Sequence, residues 1–366
     1  MDAIRTTRLT LAATGAALLT ACSTESGGGT PPTVQPVPAV SGSSAKTVAI
    51  NPDFSAPETV ATGIGVPWGL AFREDGTALV SERDSGRILE VRPGSEPREI
   101  YTVPGVDAGG EGGLLGLALR DDWIYAYFTG ADDNRIVRFK AGEEKTPEVI
   151  FDGITKGSRH NGGRIAFGPD DMLYVGTGDA SEESRSQDGD DPSGKILRLT
   201  PEGDPAPGNP REGSPVWTLG HRNVQGLAWD DQGRMYGIEF GQNEYDEVNI
   251  IEKGKNYGWP EVEGRGGDDR FTDPIVQWTT DEASPSGAAV AGDTLYVAAL
   301  RGERLWTVPL GGGSTEAELT GEYGRLRTVA VAPDGSLWLT TSNTDGRGDQ
   351  RDGDDRILRF PAAPGR

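Results

Sequence analysis

The chain contains two histidines, and the first lies in a polar, glycine-rich segment where it could transfer a proton. His160 stands in the sequence Arg-His-Asn-Gly-Gly-Arg-Ile at 159–165, and Asp179 ends the segment 174–179 on the neighbouring predicted strand. A hairpin would place Asp179 beside His160, where a carboxylate fixes the imidazole tautomer and raises its basicity, as a general base requires. The same pair suits a structural histidine, so both alternatives stay open on chemistry alone.

The second histidine begins a group of segments suited to a bound cation. His221 is followed by Arg222 and Asn223, then by acidic and amide residues at 239–249 and by the sequence Gly-Lys-Asn-Tyr-Gly-Trp-Pro at 254–260. Carboxylates, amides and free carbonyls in a glycine-permissive loop are the ligands that calcium prefers. A solvated acidic loop is the alternative, and composition alone favours it.

One short strand pattern recurs along the chain and indicates the elements that must position these segments. In each copy the first residue is followed by small and apolar residues, and usually by a turn and a second apolar strand. The copies begin at Gly69, Gly116, Arg164, Gly226, Gly287 and Thr328. Each interval suffices for a four-stranded blade, and no stretch shows a 3.6-residue apolar period over helical length. The sequence therefore predicts an all-β fold, a six-bladed β-propeller over residues 48–366. The longest intervals, on either side of the fourth copy, predict long loops where a site would be built.

The N-terminal region has the features of a bacterial lipoprotein signal. Arg5 and Arg8 precede an apolar run that is too short to span a bilayer as a helix. The run ends in Leu-Thr-Ala-Cys, which resembles the lipobox, so residues 1–21 are predicted to be a signal peptide and Cys22 to carry the lipid. Ordinary secretion with an incidental cysteine is the alternative. The Ser-, Gly- and Pro-rich segment 22–47 is interpreted as a tether, which predicts an extracytoplasmic protein anchored to the cell membrane.

The overall charge excludes some classes of partner. With a formal net charge of -22 at pH 7, the chain is a poor ligand for nucleic acid or for an anionic membrane surface. Membrane contact is therefore expected through the lipid alone.

Cys22 is the only cysteine, which excludes a disulfide within one chain. The acidic tracts 188–191 and 349–355 are interpreted as solvated loops, because their spacing matches no complete calcium loop. Nothing in the sequence indicates the oligomeric state.

Several longer motifs occur together along the predicted propeller. They are Glu-Gly-Gly-Leu-Leu-Gly at 111–116, His-Asn-Gly-Gly-Arg-Ile at 160–165, Gly-His-Arg-Asn at 220–223, Asp-Glu-Val-Asn at 246–249, the segment 254–260, and Gly-Arg-Leu-Arg-Thr at 324–328. This combination, from about Val66 to Phe360, resembles the glucose/sorbosone dehydrogenase family of quinoproteins. The resemblance implies an enzyme that uses pyrroloquinoline quinone (PQQ) and calcium to oxidise aldose sugars at C1 to lactones. It also implies that electrons pass to an extracytoplasmic acceptor.

The resemblance further implies roles for individual residues in catalysis. His160 would be the general base that takes the proton of the anomeric hydroxyl while hydride passes from C1 to the C5 carbonyl of PQQ. Asp179 would orient His160. Arg222 would stabilise the charge that develops on the quinone oxygen, and Asn223 would be a second cofactor contact.

Other residues would hold the cofactor, by the same resemblance. Arg325 and Arg327 would grip the PQQ carboxylates, for which planar guanidinium groups are well suited. Arg301 stands where the family usually has a cofactor-binding Lys, and it keeps the charge with a different geometry. Glu111 stands where the family commonly has Gln, and its carboxylate would repel PQQ unless it is protonated or paired.

Two calcium sites are implied as well. The backbone carbonyls of Gly241 and Gln242 would hold the calcium that polarises PQQ, with Gln242 in place of a family proline. Glu247 and the carbonyl of Tyr257 would be ligands of a further, structural calcium.

Two other functions remain as alternatives to the dehydrogenase. A propeller that has lost its cofactor would act as a surface-tethered carbohydrate- or protein-binding module, and the changes at Glu111 and Arg301 favour it. The residues that are retained favour the enzyme, and they are His160, Asp179, Arg222, Asn223, Arg325 and Arg327. A calcium-dependent lactonase lacks support, because the acidic residues do not occur once per blade, as its central metal requires.

The lipid anchor can be tested by one substitution. The wild type is expected to partition with membranes, and Cys22→Ser is expected to be released or to remain unprocessed, since the thiol is the attachment point. Membrane fractionation and mass spectrometry of the N-terminal peptide measure both. A wild-type protein that is wholly soluble, with no lipid on its N-terminus, would contradict the prediction.

Overall fold

The computed structural model describes residues 32–34, 51–143 and 146–363. Within these ranges the regular secondary structure is almost entirely strand, with one short 3₁₀ helix at Glu183–Gln187, which confirms the all-β prediction. No helix in the same ranges is long and apolar enough to cross a membrane. The predicted signal peptide and Cys22 lie outside the described residues.

Six four-stranded antiparallel sheets form the blades of a propeller, as predicted. Two strands precede them, β1 (Thr33–Val34) and β2 (Glu58–Thr62). Blade 1 contains β3 (Pro67–Phe72), β4 (Ala78–Glu82), β5 (Arg87–Val91) and β6 (Arg98–Thr102). Blade 2 contains β7 (Leu114–Arg120), β8 (Trp123–Thr129), β9 (Asn134–Lys140) and β10 (Glu148–Ile154). Blade 3 contains β11 (Ile165–Phe167), β12 (Leu173–Gly176), β13 (Lys195–Leu199) and β14 (Val216–Leu219).

The second half of the ring repeats this plan. Blade 4 contains β15 (Val224–Trp229), β16 (Met235–Glu239), β17 (Tyr245–Ile251) and β18 (Val276–Thr279). Blade 5 contains β19 (Pro285–Ala291), β20 (Thr294–Ala299), β21 (Arg304–Pro309) and, after the short β22 (Gly313–Ser314), β23 (Glu316–Glu318). Blade 6 contains β24 (Leu326–Val331), β25 (Leu337–Thr341) and β26 (Arg356–Phe360).

Blade 6 takes its outermost strand from the other end of the chain. Strand β2 pairs antiparallel with β26, with Thr59 opposite Leu358 and Ala61 opposite Ile357. Backbone hydrogen bonds therefore close the ring and cover the outer edge of β26. In addition, β1, which lies within the segment predicted as a tether, pairs with β22 beside blade 5.

The core lies between neighbouring blades. Six clusters of buried apolar residues occur in the described part of the chain, and each combines strands of two adjacent blades. Between blades 6 and 1, for example, Trp338 packs edge-on against Phe72 with ring centroids 5.1 Å apart. Between blades 4 and 5, Trp278 stacks on Trp306 at 5.3 Å. Because burial of each large side chain contributes roughly 1.5–3 kcal/mol, every blade is stabilised by both of its neighbours.

The innermost strands explain the repeated sequence pattern. The predicted starts fall in β3, β7, β15, β19 and β24, and Arg164 directly precedes β11, so all six copies are confirmed. A Cβ added at Gly116 would lie 2.2 Å from the carbonyl oxygen of Gly163, and one at Gly226 would lie 2.4 Å from that of Ser286. At these two positions the inner strand runs so close to the next blade that no side chain fits.

Candidate active site

The segments predicted to do chemistry meet where inner strands begin and second strands end. In blade 3, His160 precedes β11 and Asp179 follows β12, so the hairpin brings the two side chains together. His160 Nδ1 lies 2.7 Å from Asp179 Oδ1, which confirms the predicted contact. Because an ionised carboxylate only accepts hydrogen bonds, neutral His160 carries its proton on Nδ1, and Nε2 is left as the basic nitrogen.

Asp179 is buried and kept ionised by its contacts. The indole N–H of Trp259 donates to Oδ2 at 2.9 Å, and the backbone N–H of Ser181 donates to Oδ1 at 2.7 Å. Burial opposes ionisation, but the hydrogen bond to His160, the charge of that ring and these two donors hold the pKa of Asp179 below its ordinary value. Asp179 is therefore an anion, and in this form it orients the imidazole of His160.

Glu111 contacts the same histidine from the start of blade 2. Its Oε2 accepts the backbone N–H of His160 at 2.9 Å, and its Oε1 forms an ion pair with Arg347 at 2.8 Å. Burial disfavours the charged form, but the His160 N–H and Arg347 hold the pKa of Glu111 below its ordinary value. Glu111 is thus paired, which is the condition for a carboxylate to tolerate a nearby anion.

Arg222 and Asn223, directly before β15, carry two donors without a partner. Asn223 Oδ1 accepts the N–H of Gly162 at 2.9 Å, and Arg222 Nη1 donates to the carbonyl of Phe240 at 3.2 Å. Arg222 Nε and Asn223 Nδ2, however, are buried with no hydrogen-bond partner among the described residues. An unsatisfied buried donor costs about 1–3 kcal/mol. The pair therefore fits a bound ligand that is rich in acceptor oxygens, as PQQ is.

Buried arginines form a positive cluster on the blade 6 side of the site. Arg325 and Arg327 share the carboxylate of Asp345 at 3.1 and 3.3 Å. Arg164 lies over the ring of Trp68 at 4.3 Å and has no acidic partner in the described part of the chain. Burial, reinforced by the charge of Arg327, lowers the pKa of Arg164 to about 9. Three guanidinium groups against one carboxylate fit the anionic carboxylates of PQQ.

Arg301 lies apart from this cluster. Its exposed guanidinium pairs with Asp281 at 2.6 Å. The preceding residue, Leu300, lines the same small cavity as Glu111 and Arg327. The structure therefore does not bring the Arg301 side chain into the group of buried arginines, and its contact with a cofactor stays a prediction.

The loop predicted to bind calcium through carbonyl oxygens surrounds the carboxylate of Glu263. The N–H groups of residues 242–245 all donate to Glu263 Oε1 at 2.6 to 3.1 Å. Gly241 N–H donates to Asp246, and burial raises the pKa of Asp246 to about 7. The carbonyl oxygens of Gly241 and Gln242 accept no hydrogen bond from the described residues. Their lone pairs are therefore free for a hard cation.

A second acidic group lies within blade 4. Glu239 and Glu247 are buried and stand opposite each other on β16 and β17. Burial, and then the charge of Glu239, raises the pKa of Glu247 to about 8. Asn249 Nδ2 donates to Glu247, while Asn249 Oδ1 is buried without a partner among the described residues. Two mutually repelling acids beside an unsatisfied oxygen fit a bound cation.

His221 and Tyr257 border this acidic group. His221 Nδ1 lies 3.1 Å from Glu239 Oε2, its Nε2 lies 2.8 Å from Thr218 Oγ1, and its ring stacks on Tyr257 at 4.8 Å. Both nitrogens have partners, so His221 is a structural histidine. The ranges that the structure describes contain no group of three or more His, Cys, Asp or Glu side chains able to hold a metal. A cation here would therefore depend on backbone and amide oxygens as well.

Sequence reasoning did not predict the roles of several residues. Trp259 lies in the segment 254–260, whose pattern could have directed attention to it, whereas nothing in the sequence indicates that Asp345 and Arg347 join the site.

The interpretation of tract 349–355 as solvated is wrong for Asp354 and Asp355, which are only 9% and 0% exposed. Asp355 accepts hydrogen bonds from the last residue of β25 and from the loop after it, and so anchors the segment that carries Asp345.

Comparisons with known proteins agree with this geometry. The family model described as Glucose / Sorbosone dehydrogenase matches residues 64–358. A PQQ-bound aldose sugar dehydrogenase from Streptomyces coelicolor is 54% identical, with a TM-score of 0.81 over 86% of this chain and 100% of that chain. Quinoprotein glucose dehydrogenase B of Acinetobacter calcoaceticus is 31% identical over 57% of this chain and 52% of its own length. An aldose sugar dehydrogenase of Escherichia coli is 28% identical over 76% and 88%.

The shared carboxylate of Asp345 gives a stability prediction. Burial opposes its ionisation, but Arg327 and Arg325 hold the pKa of Asp345 below its ordinary value. Its contribution to stability is therefore present above that ordinary value and is lost as the pH falls through the lowered pKa. Asp345→Asn leaves buried guanidinium groups without a counter-charge, and we expect the free energy of unfolding to fall by about 3–5 kcal/mol.

Urea unfolding at neutral pH measures this change. Asp281→Asn is the matched control, because its pair with Arg301 is 77% and 61% exposed and should change the free energy of unfolding by about 1 kcal/mol or less. Equal effects of the two substitutions would contradict the assignment of Asp345 as the counter-charge of the cluster.

Proposed function

The chain belongs to the glucose/sorbosone dehydrogenase family, and we propose that it oxidises aldose sugars at C1 to lactones with PQQ and calcium. The observation that carries the proposal is the pair of half-buried His160 and buried Asp179 beside two unpaired donors, Arg222 Nε and Asn223 Nδ2. The imidazole of His160, which can accept a proton, thus lies next to N–H groups that have no hydrogen-bond acceptor. The PQQ-bound Streptomyces relative supports the choice of cofactor.

The proton chemistry is assigned to His160. Oxidation of a hemiacetal carbon removes a hydroxyl proton and, from C1, a hydrogen with two electrons. Asp179 holds the Nδ1–H tautomer, so Nε2 can accept the hydroxyl proton and Asp179 stabilises the imidazolium that results. Trp259 and Ser181 keep the carboxylate in its place during this transfer.

Charged and polar groups of three blades would hold the cofactor. When bound, PQQ supplies the quinone that takes up the hydrogen and the two electrons leaving C1. Arg325 and Arg327 would bind its carboxylates, while Arg222 and Asn223 would satisfy their free donors on its oxygens. Arg301 would reach the same ligand only by leaving Asp281. An extracytoplasmic acceptor would then receive the electrons.

Calcium would occupy the two acidic regions of blade 4. The free carbonyls of Gly241 and Gln242 are suited to the cation that polarises the cofactor. Glu247 and the carbonyl of Tyr257 are suited to a structural cation, which would offset the repulsion between Glu239 and Glu247. The support for the metal is that Glu263 holds the loop of Gly241 and Gln242 and that Glu247 lies on β17.

We place this activity outside the cytoplasm. The support is the lipoprotein-like sequence that ends at Cys22 and the polar segment 22–47 after it. A tether of this kind would hold the propeller near the membrane without burying any of its own surface in lipid.

The assignment of the base is tested by His160→Gln. The variant should bind PQQ as the wild type does, since the arginines would hold the cofactor. Turnover of aldoses should nevertheless fall by roughly 10²- to 10⁴-fold. Asp179→Asn should lie between the wild type and His160→Gln. Binding is measured by titrating PQQ into the apo protein with calcium, and turnover by the absorbance of the reduced quinone.

Arg325→Ala is the reciprocal variant in the same experiment. The variant should bind PQQ more weakly and recover part of its activity at high cofactor concentration, because Arg325 would contact the carboxylates and not the reacting carbon. Wild-type turnover in His160→Gln would refute the assignment of the base. If no protein of the set binds PQQ, the cofactor-less binding module becomes the better interpretation.

Calcium should raise the melting temperature of the native protein. A ligand that binds only the folded state at 100 times its Kd stabilises it by about 2.7 kcal/mol. Glu247→Gln should reduce this response, whereas Glu212→Gln, on an exposed loop, should retain it. Differential scanning fluorimetry across a calcium and chelator series measures the effect. Identical melting curves with calcium and with chelator would exclude a bound structural calcium.

A further inference from the structure

The backbone of His160 adopts a conformation that needs support. Its φ is 57°, in the left-handed region, which costs a non-glycine residue roughly 1–2 kcal/mol. Its carbonyl accepts the N–H of Ala180 at 3.1 Å, and its N–H donates to a side chain, Glu111 Oε2, at 2.9 Å. The direction of the imidazole therefore depends on a carboxylate from another blade.

Glu111 joins this loop at two points. Its own N–H donates to the carbonyl of Ser158 at 3.0 Å, and its side chain returns to the N–H of His160. The two bonds fix the segment 158–160 to the start of blade 2. A change in the Glu111 side chain alone would release the second point and keep the first.

Arg347 holds the other oxygen of the same carboxylate. The Arg347–Glu111 pair spans 2.8 Å, with the acid 15% exposed and the arginine 52% exposed. The guanidinium comes from the loop after β25, so the pair joins blade 6 to blade 2 above the cavity that both residues line. With both oxygens engaged, the carboxylate is neither free to rotate nor available as an uncompensated charge.

We propose that Glu111 is a positioning residue for His160 and that Arg347 holds Glu111 in place. The inference rests on the proposed function, because His160 matters for turnover only if it is the base. It differs from a cofactor contact, since both oxygens of Glu111 already bind groups of the protein. Glu111 thus acts on the reaction through the backbone of His160.

Substitutions at the two positions separate positioning from binding. Glu111→Ala removes the acceptor, and turnover should fall by about 10- to 100-fold with PQQ affinity retained, as expected for a small displacement of a catalytic group. Glu111→Gln keeps an amide oxygen for the His160 N–H and should stay within about 3-fold of the wild type. Arg347→Gln should lie between these, and it should add little in the Glu111→Ala background, where the carboxylate is already gone. Arg92→Gln, which breaks an exposed ion pair of blade 1, is the control arginine.

A readout independent of activity comes from the two histidines of the chain. In apo protein labelled with ¹⁵N-histidine, His160→Gln assigns the two imidazole spectra. The wild type, Glu111→Gln and Arg92→Gln should show His160 as the Nδ1–H tautomer, and Glu111→Ala should show a mixture of tautomers. Arg347→Gln, on the exposed side, gives the same test should Glu111→Ala fail to fold.

The outcomes are distinct. A lowered PQQ affinity in Glu111→Ala with an unchanged His160 spectrum would make Glu111 a cofactor contact and overturn the inference. Unchanged turnover and spectrum in both Glu111→Ala and Arg347→Gln would also overturn it. If the wild type does not oxidise aldoses with PQQ and calcium, the proposed function fails, while the spectra still decide whether Glu111 orients His160.

Discussion

Closure of the ring by β2 is the constraint on which the rest of the structure depends. The outer edge of β26 is covered only because the N-terminal strand returns to it, and each interblade core is complete only when six blades form a circle. Within that circle, residues distant in sequence become neighbours. Glu111, His160 and Arg347 come from blades 2, 3 and 6, yet hydrogen bonds and an ion pair connect them. No local element of secondary structure could hold these three groups at such distances.

Charge is divided across the site in a way that composition conceals. The chain as a whole is strongly acidic, but the blade 6 side of the site has an excess of buried arginines and the blade 4 side an excess of buried acids. Each excess is costly in the protein alone, because buried like charges repel. A ligand that is anionic at one end and bridged by a cation at the other would relieve both. This pattern supports a carboxylate-bearing cofactor together with a metal ion.

Much of the fold and part of the site could be predicted from the sequence. The repeat starts located all six inner strands, because close packing against the next blade restricts four of those positions to glycine. The contact between His160 and Asp179 followed from a hairpin, which is local. The partner of Glu111 was not predictable, since Arg347 lies far along the chain. Asp345 lies close in sequence to Arg325 and Arg327, but no pattern of its own marks it. Asp354 and Asp355 resembled a solvated tract because burial of an acid depends on tertiary donors, such as the Asn343 side chain.

The glycines at the starts of the inner strands have a consequence for how such a protein can diverge. Backbone meets backbone at Gly116 and Gly226, so the spacing between neighbouring inner strands is set by atoms that no substitution changes. Main-chain contact therefore fixes how closely these inner strands approach the next blade. Loops at the rim can lengthen or shorten by insertion and deletion, while the ends of the strands that carry them keep their positions. New substrate preferences can thus arise from the loops, while the inner strands keep their spacing.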